Sequence, residues 1–109
     1  MIIEIAEIKI RPEAEDEFVR NVETGFAIFN RAKGCLGVEL RQSSEAPGEY
    51  RLLVRWETVE NHTVDFRGSA DFLDWRKLTA HCFAEPPTIK NWNVAVKGFG
   101  FQEAATPPA

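Results

Sequence analysis

Cysteine is scarce. Cys35 and Cys82 are the only two among 109 residues, too few for a disulfide framework, so a reduced, cytoplasmic chain is the default expectation. Basic charge is also in short supply: thirteen Lys and Arg face seventeen Asp and Glu, a formal charge of -4. Nucleic acid, which needs a basic footprint, is therefore a poor partner. No apolar run is long enough to span a bilayer, so no membrane partner is expected. Met1-Ile2-Ile3 runs directly into Glu4, without the charged-then-apolar layout of a signal peptide. No glycine-rich phosphate loop follows a strand pattern, and nucleotide binding has no support. Internal repeats and domain linkers are missing too. What is present is a soluble globular composition, 44% hydrophobic and 28% charged, sized for one self-sufficient core over residues 1–98 with a tail at 99–109.

Residues 2–10 are Ile-rich and read as a strand, with Ile2, Ala6, Ile8 and Ile10 sharing a face with Glu4, and Ile3 and Ile5 opposite. Pro12 suits a first helical turn, and Glu13, Glu15, Asp16 and Glu17 suit its dipole. Phe18, Val22, Phe26 and Phe29 then recur at helical spacing, with Gly25 beside them inviting another backbone. Gly34 fits a left-handed cap. Strands follow at about 35–43, with Leu36, Val38 and Leu40 on one face, and at 50–57, with Tyr50, Leu52, Val54 and Trp56 together. Pro47-Gly48 turns one into the other. Two short helices come next, capped by Thr58 and Ser69 and separated at Gly68. Val59, His62 and Phe66 share a side of the first; Phe72, Trp75, Thr79 and Cys82 line the second. Pro86-Pro87 ends the helical region, and a last strand at about 89–97 groups Trp92, Val94 and Val96.

The order strand, helix, strand, strand, helix, strand is α+β and ferredoxin-like: βαββαβ, with helices on one face of a four-stranded antiparallel sheet. Ile3, Ile5 and Leu53 on the other face need cover, which predicts a homodimer joined through the sheets.

Several runs are similar to the antibiotic biosynthesis monooxygenase (ABM) superfamily of dimeric α/β barrels. They are Ile8-Lys9-Ile10-Arg11-Pro12-Glu13, Gly34-Cys35-Leu36-Gly37, Tyr50 through Glu57, Val59-Glu60-Asn61-His62, Phe66, and Ser69 to Phe72. The resemblance covers roughly residues 1–96 and is most specific from the third strand through Phe72. It implies the ferredoxin-like dimer, a pocket between sheet and helices, and, in characterised members, oxidation of quinols or polyphenols with dioxygen and no metal or flavin. A haem-degrading branch of the family resembles an Asn, a Trp and an iron-ligating His where this chain has Ile8, Phe66 and Arg76, so haem degradation is not expected.

The resemblance also places a His frequently at the position of His62. An imidazole there could accept the proton of a quinol hydroxyl, or it could be a hydrogen-bonded core histidine. Phe66, Trp75 and Trp92, with Trp56, Phe72 and Phe83, could wall an aromatic substrate site or could be core. Arg55 could steady a developing phenolate or pair with Glu57, and Asn91 and Asn93 could bind substrate oxygens or face water. His81-Cys82 lacks a second ligand pair at zinc-like spacing, and adjacent helical residues point apart. The reading is thus a cofactor-independent, metal-free monooxygenase taking a small aromatic substrate and dioxygen, with His62 catalytic. The alternative is a non-catalytic ligand-binding or stress-response protein of the same fold.

Overall fold

The computed structural model describes residues 1–101. The chain folds as β1 (Ile2–Lys9), a 3-10 turn (Pro12–Ala14), α1 (Glu15–Asn30), β2 (Cys35–Gln42) and β3 (Glu49–Trp56). A π-helical segment (Asn61–Phe66), α2 (Ala70–Thr79), a second 3-10 turn (Ala80–Cys82) and β4 (Thr88–Trp92) complete it. The four strands form one antiparallel sheet in the order β2-β3-β1-β4. This is the α+β, ferredoxin-like arrangement that the element order predicts.

Period-two alternation decides the faces. Ala6 and Ile8 of β1, with Tyr50, Leu52, Val54 and Trp56 of β3, are buried beneath the helices. There they meet Phe18, Val22, Ile28 and Phe29 of α1, together with Phe66 and Trp75. The opposite face carries Ile3, Ile5, Leu53 and Arg55, and Ile3 lies between Arg55 and Trp92 in the register.

Three local expectations are corrected. Leu36 does not share a face with Val38 and Leu40: a bulge between Cys35 and Gly37 puts Cys35 opposite Trp56 and leaves Leu36 exposed. β4 stops at Trp92, whose pairing with Ile3 is the last of the ladder to β1. Val94 and Val96 consequently lie outside the strand, beside Ile3 and Leu53 on the open face. Gly25 faces the ring of Trp75 and no backbone: an added Cβ would lie 2.6 Å from Trp75 Cζ3. Of the expected tail at 99–109, residues 102–109 lie outside the described residues.

The caps follow the sequence. Phe72 N–H donates to Ser69 Oγ at 3.2 Å and Asn61 N–H to Thr58 Oγ1 at 3.2 Å. Gly34 takes φ 76°, as a left-handed cap requires, and Glu57 N–H donates to its carbonyl at 2.8 Å.

Candidate functional site

The polar centre of the molecule is built around His62. Its local frame is set by Asn61, whose Oδ1 accepts from Thr58 N–H at 3.0 Å and from Thr58 Oγ1 at 2.9 Å. The Asn61 amide nitrogen donates to Asp65 at 3.1 Å. Gly34 packs directly against that amide: a Cβ there would lie 2.1 Å from Asn61 Oδ1. The turn that follows is wider than an α-helix. Arg67 N–H reaches the His62 carbonyl at 3.2 Å, an i to i+5 bond of the kind often found at functional sites.

This frame directs the imidazole onto the sheet. His62 is 4% exposed, and its ring stacks on Trp56 with centroids 5.9 Å apart and planes 10° from parallel. Nδ1 lies 2.9 Å from Asn91 Oδ1 on β4, and Nε2 lies 3.4 Å from Glu4 Oε1 on β1. Glu4 also accepts the Trp56 indole N–H at 2.9 Å. The register makes this convergence inevitable: Glu4 pairs with Val54 on one side and Asn91 on the other, so all three point to the helix face.

Glu4 is a carboxyl at 6% exposure on an otherwise apolar strand face. Burial pushes its pKa up; the His62 ring, the Trp56 N–H and the Arg67 charge hold it back. Glu4 Oε1, 3.4 Å from Nε2, sets a buried carboxylate against that edge of the ring. Asn91 fits either state of Nδ1: its amide oxygen accepts from a protonated Nδ1, and turning the amide over presents N–H to an unprotonated one. The arrangement sets an imidazole between a buried carboxylate and a side-chain amide, one at each ring nitrogen.

The residues expected at a site divide between two faces. Phe66 is beside His62, its ring 5.4 Å from Trp56. Trp75 is further back, edge-on to Phe29 at 4.8 Å, and Phe29 separates it from Phe66. Trp92 and Arg55 are not brought to His62: they flank Ile3 on the open sheet face, where Arg55 helps to line a cavity of about 630 Å³. A second cavity of about 410 Å³ runs between α1 and β2, by Phe26, Phe29 and Leu36; neither cavity is lined by His62. Sequence reasoning gave Glu4 no role. Its signal was there to see, as the one charge among Ile2, Ala6, Ile8 and Ile10.

The family model described as "Antibiotic biosynthesis monooxygenase" matches residues 1–78. The chain belongs to the ABM family. Among curated proteins, this ABM domain is 33% identical over 92 residues to the uncharacterized protein YczJ of Bacillus subtilis (strain 168), covering 84% of this chain and 97% of that one. Among solved structures, it is 50% identical to a putative antibiotic biosynthesis monooxygenase from Bordetella bronchiseptica, with a TM-score of 0.85 over 87% of this chain and 97% of that chain. It also shares its fold with a mutant of SnoaB, a cofactor-independent oxygenase from Streptomyces nogalater, at 12% identity and a TM-score of 0.76 over 88% and 94% of the two chains. Among the described residues, no helix of this ABM domain is long and apolar enough to cross a membrane.

Proposed function

We propose that this ABM protein is a cofactor-independent monooxygenase that oxidises a small aromatic quinol or polyphenol with dioxygen. The observation that carries the reading is the buried Glu4–His62–Asn91 chain, a base held by a carboxylate and reaching solvent through the exposed Asn91. The substrate hydroxyl takes the place of the Asn91 amide at Nδ1 and gives its proton to His62, while Glu4 keeps the other nitrogen oriented. The resulting phenolate is a far better reductant than the phenol and reacts directly with dioxygen. A ring C–H becomes C=O, the second oxygen atom leaves as water, and the substrate supplies all four electrons. Trp56 and Phe66 form the apolar wall that keeps water from the anion, with Trp75 behind them.

Ile3, Ile5 and Leu53, with Arg55 and Trp92 at one end of the row, are assigned to a sheet-to-sheet homodimer. A cytoplasmic location accords with two free cysteines.

A second reading is favoured by one observation: His62 and Phe66 are close-packed, and the larger cavity lies on the opposite face of the sheet. On that reading the protein binds a small apolar ligand without turnover. Oxygen uptake with a quinol panel separates the two. Protein-dependent uptake, lost in His62→Ala, supports the monooxygenase; ligand binding with no uptake supports the binder.

A further inference from the structure

At the end of the sheet away from His62, donor atoms from two distant parts of the chain converge. Glu17 in the first turn of α1 and His81 in the 3-10 turn Ala80–Cys82 meet with Oε2 and Nε2 2.6 Å apart. The sulfur of Cys82 lies with them, all three donor atoms within 4.8 Å of one another. We propose that Glu17, His81 and Cys82 bind one transition-metal ion of the zinc class, with solvent completing the coordination.

The donor set argues for that class. One carboxylate oxygen, one imidazole nitrogen and one sulfur suit a borderline-soft ion such as Zn²⁺ or Co²⁺; Mg²⁺ and Ca²⁺ prefer oxygen alone. Bonds of about 2.0–2.3 Å in a tetrahedron put neighbouring ligands about 3.3–3.6 Å apart, within reach of this trio by side-chain rotation. The frame is already fixed. Ile10 bridges to Phe83, Arg11 N–H donates to the Cys82 carbonyl at 3.1 Å, Ala84 N–H donates to the Lys9 carbonyl at 2.8 Å, and the Arg11 guanidinium holds the His81 carbonyl. Access is open on one side, because Glu17 and His81 are half exposed while Cys82 is buried behind them. On binding, the ion replaces the proton in the Glu17–His81 hydrogen bond, and the thiol gives its proton to solvent as the metal–sulfur bond forms. Sequence spacing conceals such a site, since Glu17 is 64 residues from His81.

The test is titration of the metal-free full chain with Co²⁺, followed by displacement with Zn²⁺. The expected result is a thiolate-to-cobalt charge-transfer band that saturates at one ion per chain and is removed by Zn²⁺. His81→Ala, on the surface, should weaken binding about tenfold or more while the protein stays folded. Cys82→Ser should remove the band and Cys35→Ser should leave it unchanged. Zn²⁺ should raise the melting temperature of the wild type more than that of His81→Ala. A folded wild type that gives no band at excess Co²⁺ overturns the proposal, as does a band lost with Cys35 and kept without Cys82.

Discussion

Replacing Gly25 by Ala tests how firmly Trp75 is held, and therefore whether that ring is core or a movable wall. In an isolated helix the change is favourable by about 1 kcal/mol, because Ala loses less backbone freedom than Gly. Here the new Cβ would lie 2.6 Å from Trp75 Cζ3, 2.8 Å from Cε3 and 3.4 Å from Leu78 Cδ1. Ordinary contact needs about 3.5–4.0 Å, so the indole must retreat by roughly an ångström. It has little room: the ring is 8% exposed and edge-on to Phe29 at 4.8 Å. Moving α2 away instead would stretch the bond from Asn21 Nδ2 to the Leu78 carbonyl, now 2.9 Å. Overpacking of this kind costs about 1–3 kcal/mol, and the stretched bond about 1 kcal/mol. After the propensity gain, Gly25→Ala should be destabilised by about 1–3 kcal/mol, a fall of about 4–8 °C in Tm for each kcal/mol. Urea unfolding measures it directly. In the background of Trp75→Phe, the smaller ring should leave room for the methyl, giving a favourable coupling of about 1 kcal/mol. A Gly25→Ala protein at least as stable as wild type would refute the packing argument.

Other outcomes follow from the same geometry. Glu4→Gln keeps an acceptor for the Trp56 N–H and removes the desolvation penalty of the buried carboxylate, so it should raise the urea midpoint at neutral pH while lowering any oxygenase rate. Because burial raises the folded-state pKa of Glu4, its favourable contribution is present below the ordinary carboxylate range and is lost as pH rises through that raised value. The urea midpoints of wild type and Glu4→Gln should therefore converge in acid and diverge towards neutral pH. Gly34→Ala must adopt φ 76° and displace the Asn61 amide; thermal unfolding should show a loss of about 2–4 kcal/mol. Leu53→Asp on the open face should halve the mass seen by light scattering, with the far-ultraviolet circular dichroism unchanged.

Much of this was legible in the chain because local rules and tertiary structure agree. The Phe18–Val22–Phe29 stripe, the Thr58 and Ser69 caps and the alternation of β3 each encode their own conformation. Misreadings arose where a partner sets the outcome. The Leu36 bulge depends on β3, and β4 lasts only as long as its ladder with β1. Phe26 satisfies the helical spacing, yet it is only half-buried: it lies at one edge of the stripe, and Ile28 is the buried residue at the other. At the site, His62 stood out because its residue type and spacing are both unusual. Glu4 and Asn91 needed the register to bring them to its two nitrogens. The same register carries Trp92 to the face opposite His62, a separation that composition alone cannot express.

The most direct test of the central proposal is dissolved-oxygen uptake on a panel of quinols and hydroxylated polycyclic aromatics, corrected for autoxidation, comparing wild type with His62→Gln. Gln keeps hydrogen-bonding capacity while removing the titrating base. The expected result is protein-dependent uptake with one quinone formed per dioxygen consumed, reduced about a hundredfold or more in the variant. Equal uptake by the two proteins would contradict the role given to His62, and no uptake by folded wild type on a substrate it demonstrably binds would contradict the oxygenase itself.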